Sequence, residues 1–262
     1  MTDHHIHIGQ FNELYYDALE VFEAIEEAGA KYGIDEARFS STSSCRDDVE
    51  LLKIEEETAY ALSYSGKLKV RPYLWFVSKY AEENISVFSA TKTFDYCGIK
   101  LHPAAQKWDL ENPRHKKCME EIFDWSAQNK KPVLVHSGII PDDLPTRFSP
   151  YAIERPDSVL ILAHSNPVKE CAGLVNTHKN IFCDTACIEE KNLKKLRSFV
   201  RDKSKILFGS DFPVTHYFST HYFSKECSLK EEYFLDCKIM PQKNYKLRPA
   251  KTLFTAKSKS KS

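Results

Sequence analysis

The sequence predicts an α/β chain closed into a distorted (β/α)8 TIM barrel of one domain, on three observations. Short apolar runs of strand character alternate with longer, charged stretches of helical character. There are eight such runs, and strands separated by crossovers of this length pair in parallel. Side chains able to bind a metal or move a proton stand at the ends of five of the runs, where barrel active sites lie. An open, doubly wound sheet shares the local pattern, and the placement of those polar residues is what favours the barrel.

The first run spans His4 to Ile8, and a helical stretch from Glu13 to Ala28 follows, with Gly29 expected to close it. The second, Ala37 to Thr42, leads to a helix from about Asp47, an expected N-cap, to Tyr64. Lys69 to Phe76 is the third, with a short helical piece near Glu82 to Thr91. Cys97 to His102 is the fourth, followed by a helix from Pro113 to Gln128, proline being tolerated in a first turn. Pro132 to His136 is the fifth and Val159 to His164 the sixth, with an irregular Pro-, Asp- and Arg-containing segment between them. Ile181 to Asp184 and Lys205 to Phe208 are the seventh and eighth, separated by a basic helical stretch, Glu189 to Arg201. Runs such as Val-Leu-Val and Val-Leu-Ile-Leu lack polar alternation, as strands covered on the outside by helices do. The domain is expected over residues 1–255, with 256–262 a disordered Lys/Ser tail.

The chain has 262 residues, 42% of them apolar, with 37 basic side chains against 37 acidic. That balance gives no global attraction to nucleic acid or to anionic lipid, so a small-molecule substrate is expected, recognised in a pocket. Eight scattered cysteines include no CxxC pair, which argues against a zinc ribbon or a thioredoxin-type site. A polar N-terminus unlike a signal peptide and the lack of a long apolar run lead to a cytoplasmic, reduced expectation. A homo-oligomer is left open.

The first strand carries Asp3-His4-His5-Ile6-His7. Side chains two apart in a strand share a face, so His5 and His7 can grip one ion while His4 points elsewhere. His136 ends the fifth strand, His164 the sixth, and Asp211 follows the eighth. Neutral imidazoles with a carboxylate suit Zn and other divalent first-row metals. Each alone is unremarkable, and His115, His178, His216 and His221 are assigned to surface or packed roles. Lys100 and His102 share a face of the fourth strand.

The motifs DHHIHIG, GIKLHP, VLVHSG, LILAHSN and ILFGSDFP, in this order, resemble the amidohydrolase superfamily. The closest pattern is its amidohydrolase-2 branch, which contains hydrolases and ACMS-decarboxylase-like enzymes. The resemblance runs from residue 3 to about the Ala-Lys-Thr-Leu-Phe stretch near 254. It implies one or two divalent metals, and a single ion, Zn or another first-row ion such as Mn, is the expectation taken. It implies His5, His7, His136 and Asp211 as ligands, with His164 at the position of the strand-six histidine. Bound metal lowers the pKa of its water toward roughly 7, and Asp211 could then take the water's proton. His164 is read as polarising the substrate or moving protons, with metal ligation as the alternative.

Lys100 matches the position of the carboxylated lysine of dinuclear members. The Leu-His-Pro that follows it favours Lys100 and His102 facing substrate instead. Asp3 is a candidate hydrogen-bond partner for the ligating histidines if the backbone bends. Trp108, Arg147 and the Phe212 to Phe223 stretch are candidates for specificity, an arginine suiting a carboxylate substrate. The leading expectation is a metal-dependent hydrolase of an amide, ester or lactone. The alternative is a metal-dependent nonoxidative decarboxylase (a lyase) of an aromatic or unsaturated carboxylic acid.

Overall fold

All eight apolar runs are strands, and they lie side by side in chain order. The computed structural model describes residues 1–46, 48–224 and 226–238. In it β1 (Thr2–Phe11) turns back as a short antiparallel strand, β2 (Leu14–Tyr16), in the region expected to open a helix. Then follow β3 (Glu36–Ser41), β4 (Lys69–Trp75), β5 (Gly98–Leu101), β6 (Pro132–His136), β7 (Val159–Ala163), β8 (Ile181–Asp184) and β9 (Ile206–Leu207). From β1 through β3 to β9 each strand is parallel to the next. The curl closes where the chain after β9 meets β1. His4 N–H donates to Phe208 O at 2.9 Å, Asp211 N–H to His5 O at 2.8 Å and His7 N–H to Phe212 O at 2.7 Å. This is the eight-stranded barrel that the sequence predicts.

Alternate residues of each strand face opposite ways, and both faces are buried. Tyr73, Leu134, Ile161, Ala163, Phe182 and Leu207 pack together as one cluster. Their strand neighbours Val133, Val135, Leu160, Leu162 and Ile181 pack in another, with helical Met119, Ile122 and Phe123. Each such fully buried aliphatic side chain contributes roughly 1.5–3 kcal/mol, which is why the runs read as unbroken apolar stretches.

The helices follow from local signals, with some shifts. Asp17 caps α1 (Ala18–Gly29), accepting Leu19 N–H and Glu20 N–H, so the helix starts later than expected and includes Gly29. Asp47, expected to cap α2 (Leu51–Ala61), lies outside the described residues, as do 256–262 and the Ala-Lys-Thr-Leu-Phe stretch; Glu50 holds the N-cap position. Two short helices, α3 (Ser78–Glu82) and α4 (Val87–Ala90), replace the single piece expected there. Pro113 opens α5 (Pro113–Asn129), with Asn112 accepting Arg114 N–H. The segment expected to be irregular contains α6 (Pro145–Ile153). Its helical pattern is masked by Pro145, which sits in the first turn, and by Pro150 within the helix. Then come α7 (Val168–Thr177), α8 (Glu190–Phe199), α9 (Val214–His221) and α10 (Leu229–Lys238). Among the described residues no helix is long and apolar enough to cross a membrane.

Candidate metal centre and active site

The site is assembled from strand ends by backbone that turns sharply. His164, just past β7, and Asp211, after β9, both adopt left-handed φ, 64° and 67°. Such a conformation costs a non-glycine residue about 1 kcal/mol or more and is held only where the surroundings fix it. At His164 the fixing contact is visible: its backbone N–H donates to Asp184 Oδ1 at 2.7 Å.

His5, His7 and Asp211 meet in one triangle. His5 Nε2 lies 3.1 Å from His7 Nε2 and 3.2 Å from Asp211 Oδ1, and His7 Nε2 lies 3.1 Å from the same oxygen. His164 joins this group, one ligand atom from each of His5, His164 and Asp211 falling within 4.8 Å of the others.

The far nitrogens decide which ring atoms face inward. His5 Nδ1 donates to Asp184 Oδ2 at 2.9 Å. His7 Nδ1 lies 3.3 Å from the Ser40 carbonyl and 3.1 Å from the Ser40 hydroxyl. His164 Nδ1 donates to the Ala186 carbonyl at 3.1 Å. A carbonyl can only accept, so these partners place the proton on Nδ1 and leave a lone pair on each Nε2. Two imidazole lone pairs and a carboxylate oxygen at 3.1–3.2 Å repel one another, a repulsion that the Lys100 amine donating to His5 Nε2 at 2.8 Å offsets in part and a cation among the three atoms would offset further. Their spacing is close to the edge of a tetrahedron with bonds of ~2.0 Å, about 3.3 Å. The donor set and its spacing therefore fit a divalent metal.

Electrostatics agree. Burial first, then the Lys100 charge, pushes the His5 imidazole down to about 3, and burial likewise lowers His7. Both are neutral, the form that ligates. Cys187 Sγ donates to Asp211 Oδ2 at 3.2 Å.

Lys100 is buried on β5, its Nζ donating to His5 Nε2 at 2.8 Å and lying 5.5 Å from the centre of the Trp75 ring. Burial pushes it down to about 8. His102, just beyond β5, stacks on His136 at 3.8 Å and on Trp75 at 6.2 Å. His136 touches His164, with ring centres 4.5 Å apart. Rather than joining the His5, His164 and Asp211 group, it falls into a second one with His102 and Asp143.

Asp184 was missed. It is buried on β8 and anchors both the His5 ring and the backbone of His164. A carboxylate ending the seventh strand was a readable signal, because histidine ligands need such partners. Asp3 does not serve that purpose: it accepts His5 N–H at 3.1 Å, Ser210 N–H at 3.2 Å and the Tyr233 hydroxyl at 3.0 Å, tying strand ends together. Trp108 is buried (2% exposed), edge-on to His115 in the core, because a large apolar indole is more stable there than at the mouth. Arg147 pairs with Asp142 at the surface, and much of the 212–223 stretch is helix α9, with Phe212 packed on Tyr233.

No protein-family model matches the chain, and no curated protein matches it. Solved structures do share the fold. The 2,6-dihydroxybenzoate decarboxylase from Rhizobium aligns with a TM-score of 0.54 at 12% identity, covering 91% of this chain and 98% of that one. The same named enzyme complexed with 2,6-dihydroxybenzoate aligns at 0.53 and 13%, covering 90% and 98%. A dihydrodipicolinate synthase family protein from Coccidioides immitis aligns at 0.52 and 14%, covering 91% and 76%. Identities this low establish the fold alone.

Proposed function

We propose that this chain is a metal-dependent nonoxidative decarboxylase of a small aromatic or unsaturated carboxylic acid, in the amidohydrolase-2 branch of the amidohydrolase superfamily. The observation that carries the reading is the convergence of the inward Nε2 atoms of His5 and His7 with Asp211 Oδ1, beside the buried Lys100 amine. His5, His7 and Asp211 would hold the metal, Zn or another first-row ion. When bound, it supplies Lewis-acid stabilisation of the charge that develops on substrate oxygens.

The chain's own residues do the rest. Lys100, in its ammonium form, pairs with an oxygen of the acid and draws it toward the triangle. His164, as imidazolium with Nδ1–H on the Ala186 carbonyl, delivers a proton from Nε2 to the carbon bearing the carboxylate. As that C–H bond forms, the C–C bond to the carboxylate breaks, its electron pair returns to the ring or alkene, and CO2 leaves. The low exposure of His5, His7 and Lys100 keeps water from competing for the proton.

Hydrolysis would use the same ligands, and it was the leading expectation from the sequence. Decarboxylation is favoured because a decarboxylase of an aromatic acid, by name, shares the fold. The test is to incubate the metal-loaded protein with hydroxybenzoates, unsaturated acids, lactones and amides. The expected result is CO2 released from an acid, one solvent deuteron entering the product carbon, and loss of both in His164→Gln. Turnover of a lactone or amide with uptake of labelled water oxygen, and no CO2, overturns it in favour of hydrolysis.

A further inference from the structure

The turn after β8 touches three parts of the site at once. Asp184, which ends the strand, accepts the His5 ring N–H and the His164 backbone N–H. The Ala186 carbonyl accepts His164 Nδ1–H. Cys187, the next residue, directs its thiol to Asp211 Oδ2. The turn is itself pinned. Ile188 N–H donates to Thr185 O at 3.2 Å, and Ala186 N–H donates to Asp184 Oδ1 at 3.1 Å. The Thr185 hydroxyl donates to Gly209 O and accepts Gly209 N–H, both at 3.2 Å. Cys187 sits in this turn at a left-handed φ of 50°, which a non-glycine residue keeps only where its surroundings fix it.

The two oxygens of Asp211 therefore have different partners. Oδ1 lies 3.2 Å from His5 Nε2 and 3.1 Å from His7 Nε2. Oδ2 faces the Cys187 thiol, which among the described residues is the one donor within hydrogen-bond distance of it. We propose that Cys187 is a positioning residue for the metal centre. Its S–H keeps Oδ2 engaged, so that Asp211 ligates through Oδ1 alone and a coordination position stays open to a substrate oxygen. The proposal rests on His5, His7 and Asp211 holding a divalent metal, and not on which acid, or which reaction, the centre serves.

The chemistry of the donor carries the argument further. A carboxylate can ligate through one oxygen or through both, and a hydrogen bond to one of them decides between the two modes. A thiol is a weak, neutral donor, whereas an ammonium or guanidinium at the same place would compete with the metal for the carboxylate. Serine at 187 would keep a donor, and alanine or glycine would not. Glycine also accepts the left-handed backbone without strain, so it removes the thiol while leaving the turn its shape.

The experiment is cobalt substitution of the full chain. Co2+ reports a rise in coordination number as weaker visible absorption, and thiolate ligation as a charge-transfer band in the near ultraviolet. Chelator-stripped wild type, Cys187→Ser, Cys187→Ala and Cys187→Gly are loaded with Co2+, with metal content measured directly and the fold checked by circular dichroism. Benzoate is then titrated in as a probe of the open position. The expected result is equal Co2+ in all four proteins and one shared spectrum, without the charge-transfer band, in wild type and Cys187→Ser. Alanine and glycine variants should lose visible absorption strength as the second Asp211 oxygen joins the metal. Their benzoate affinity should fall by about 10-fold, the scale on which loss of a ligand's outer partner is felt. The glycine variant keeps the test open if the alanine variant distorts the turn. Identical spectra in all four proteins overturn the proposal and leave the metal site standing. A charge-transfer band in the wild type that Cys187→Ala removes also overturns it, by making Cys187 a ligand. Failure of the wild type to bind Co2+ overturns the metal reading itself, and this proposal with it.

Discussion

Asp184 Oδ2 accepts the Nδ1–H of His5 at 2.9 Å, and both side chains are buried. Burial works to raise the Asp184 carboxyl, but His5 and then His164 outweigh it and hold it below the ordinary carboxylate range. The ionised carboxylate fixes the His5 tautomer and so presents the Nε2 lone pair to the metal. Asp184→Asn replaces one acceptor oxygen with a donor and removes that preference. Metal affinity should fall by about 10–100-fold, read by competition with a chromophoric chelator. Unchanged affinity would mean that the His5 tautomer is set elsewhere.

Lys100 is the buried amine that touches the ligand triangle, through His5 Nε2. Lys100→Met keeps the length and apolar stem but removes the charge. We expect kcat/KM for the acid substrate to drop by about 100-fold or more, the scale on which loss of a buried charge contact is felt, with bound metal unchanged. An unaltered kcat/KM would remove Lys100 from substrate binding.

Asp236, on α10, is buried with its Oδ2 accepting the Thr215 hydroxyl at 2.8 Å. Burial pushes its carboxyl well above the ordinary range. The unfolded chain releases this proton near pH 4, whereas the folded chain retains it, so folding binds protons above that pH. Stability contributed at low pH is therefore lost as pH rises from about 4 through the raised folded value. Asp236→Asn should melt about 2–4 °C higher than the wild type at neutral pH, the shift that 1 kcal/mol produces in a chain of this size. The gap should close near pH 4 in metal-free protein. A pH-independent gap would contradict this origin.

Gly98 begins β5 where its neighbours leave no room. A Cβ there would lie 2.4 Å from Pro132 O and 2.4 Å from Tyr73 Cε1, so strands on both sides would have to move. Gly98→Ala should cost roughly 1–3 kcal/mol, at the upper end because one obstacle is backbone, and lower the denaturant midpoint accordingly. A midpoint within error of wild type would show that the barrel relaxes there more easily than its packing implies.

Much of the site was legible because β-strand geometry is local. The two-residue rule puts His5 and His7 on one face from the sequence alone, and both reach Asp211. The rule stops at the strand end. Lys100 lies within β5 and faces the centre, whereas His102 lies past Leu101, where the chain turns and the ring stacks on His136 instead. Asp143 was hidden because it belongs to a loop whose fold depends on a backbone hydrogen bond from Gly138. Phe212 to Phe223 is expected from the sequence to contribute to specificity, and the structure forms most of it into α9, with Val214 and Tyr217 buried.

By itself the sequence determined the barrel, through eight apolar runs that only a sheet covered on both faces can bury, and it determined which residue types stand at the strand ends. Tertiary structure alone decided which nitrogen of each histidine faces inward, and that His136 groups with Asp143 rather than with His5. The reason is distance along the chain. A strand's faces are set by neighbours two residues apart, but the proton on His5 is set by Asp184, 179 residues away, and only the closed barrel brings the two together.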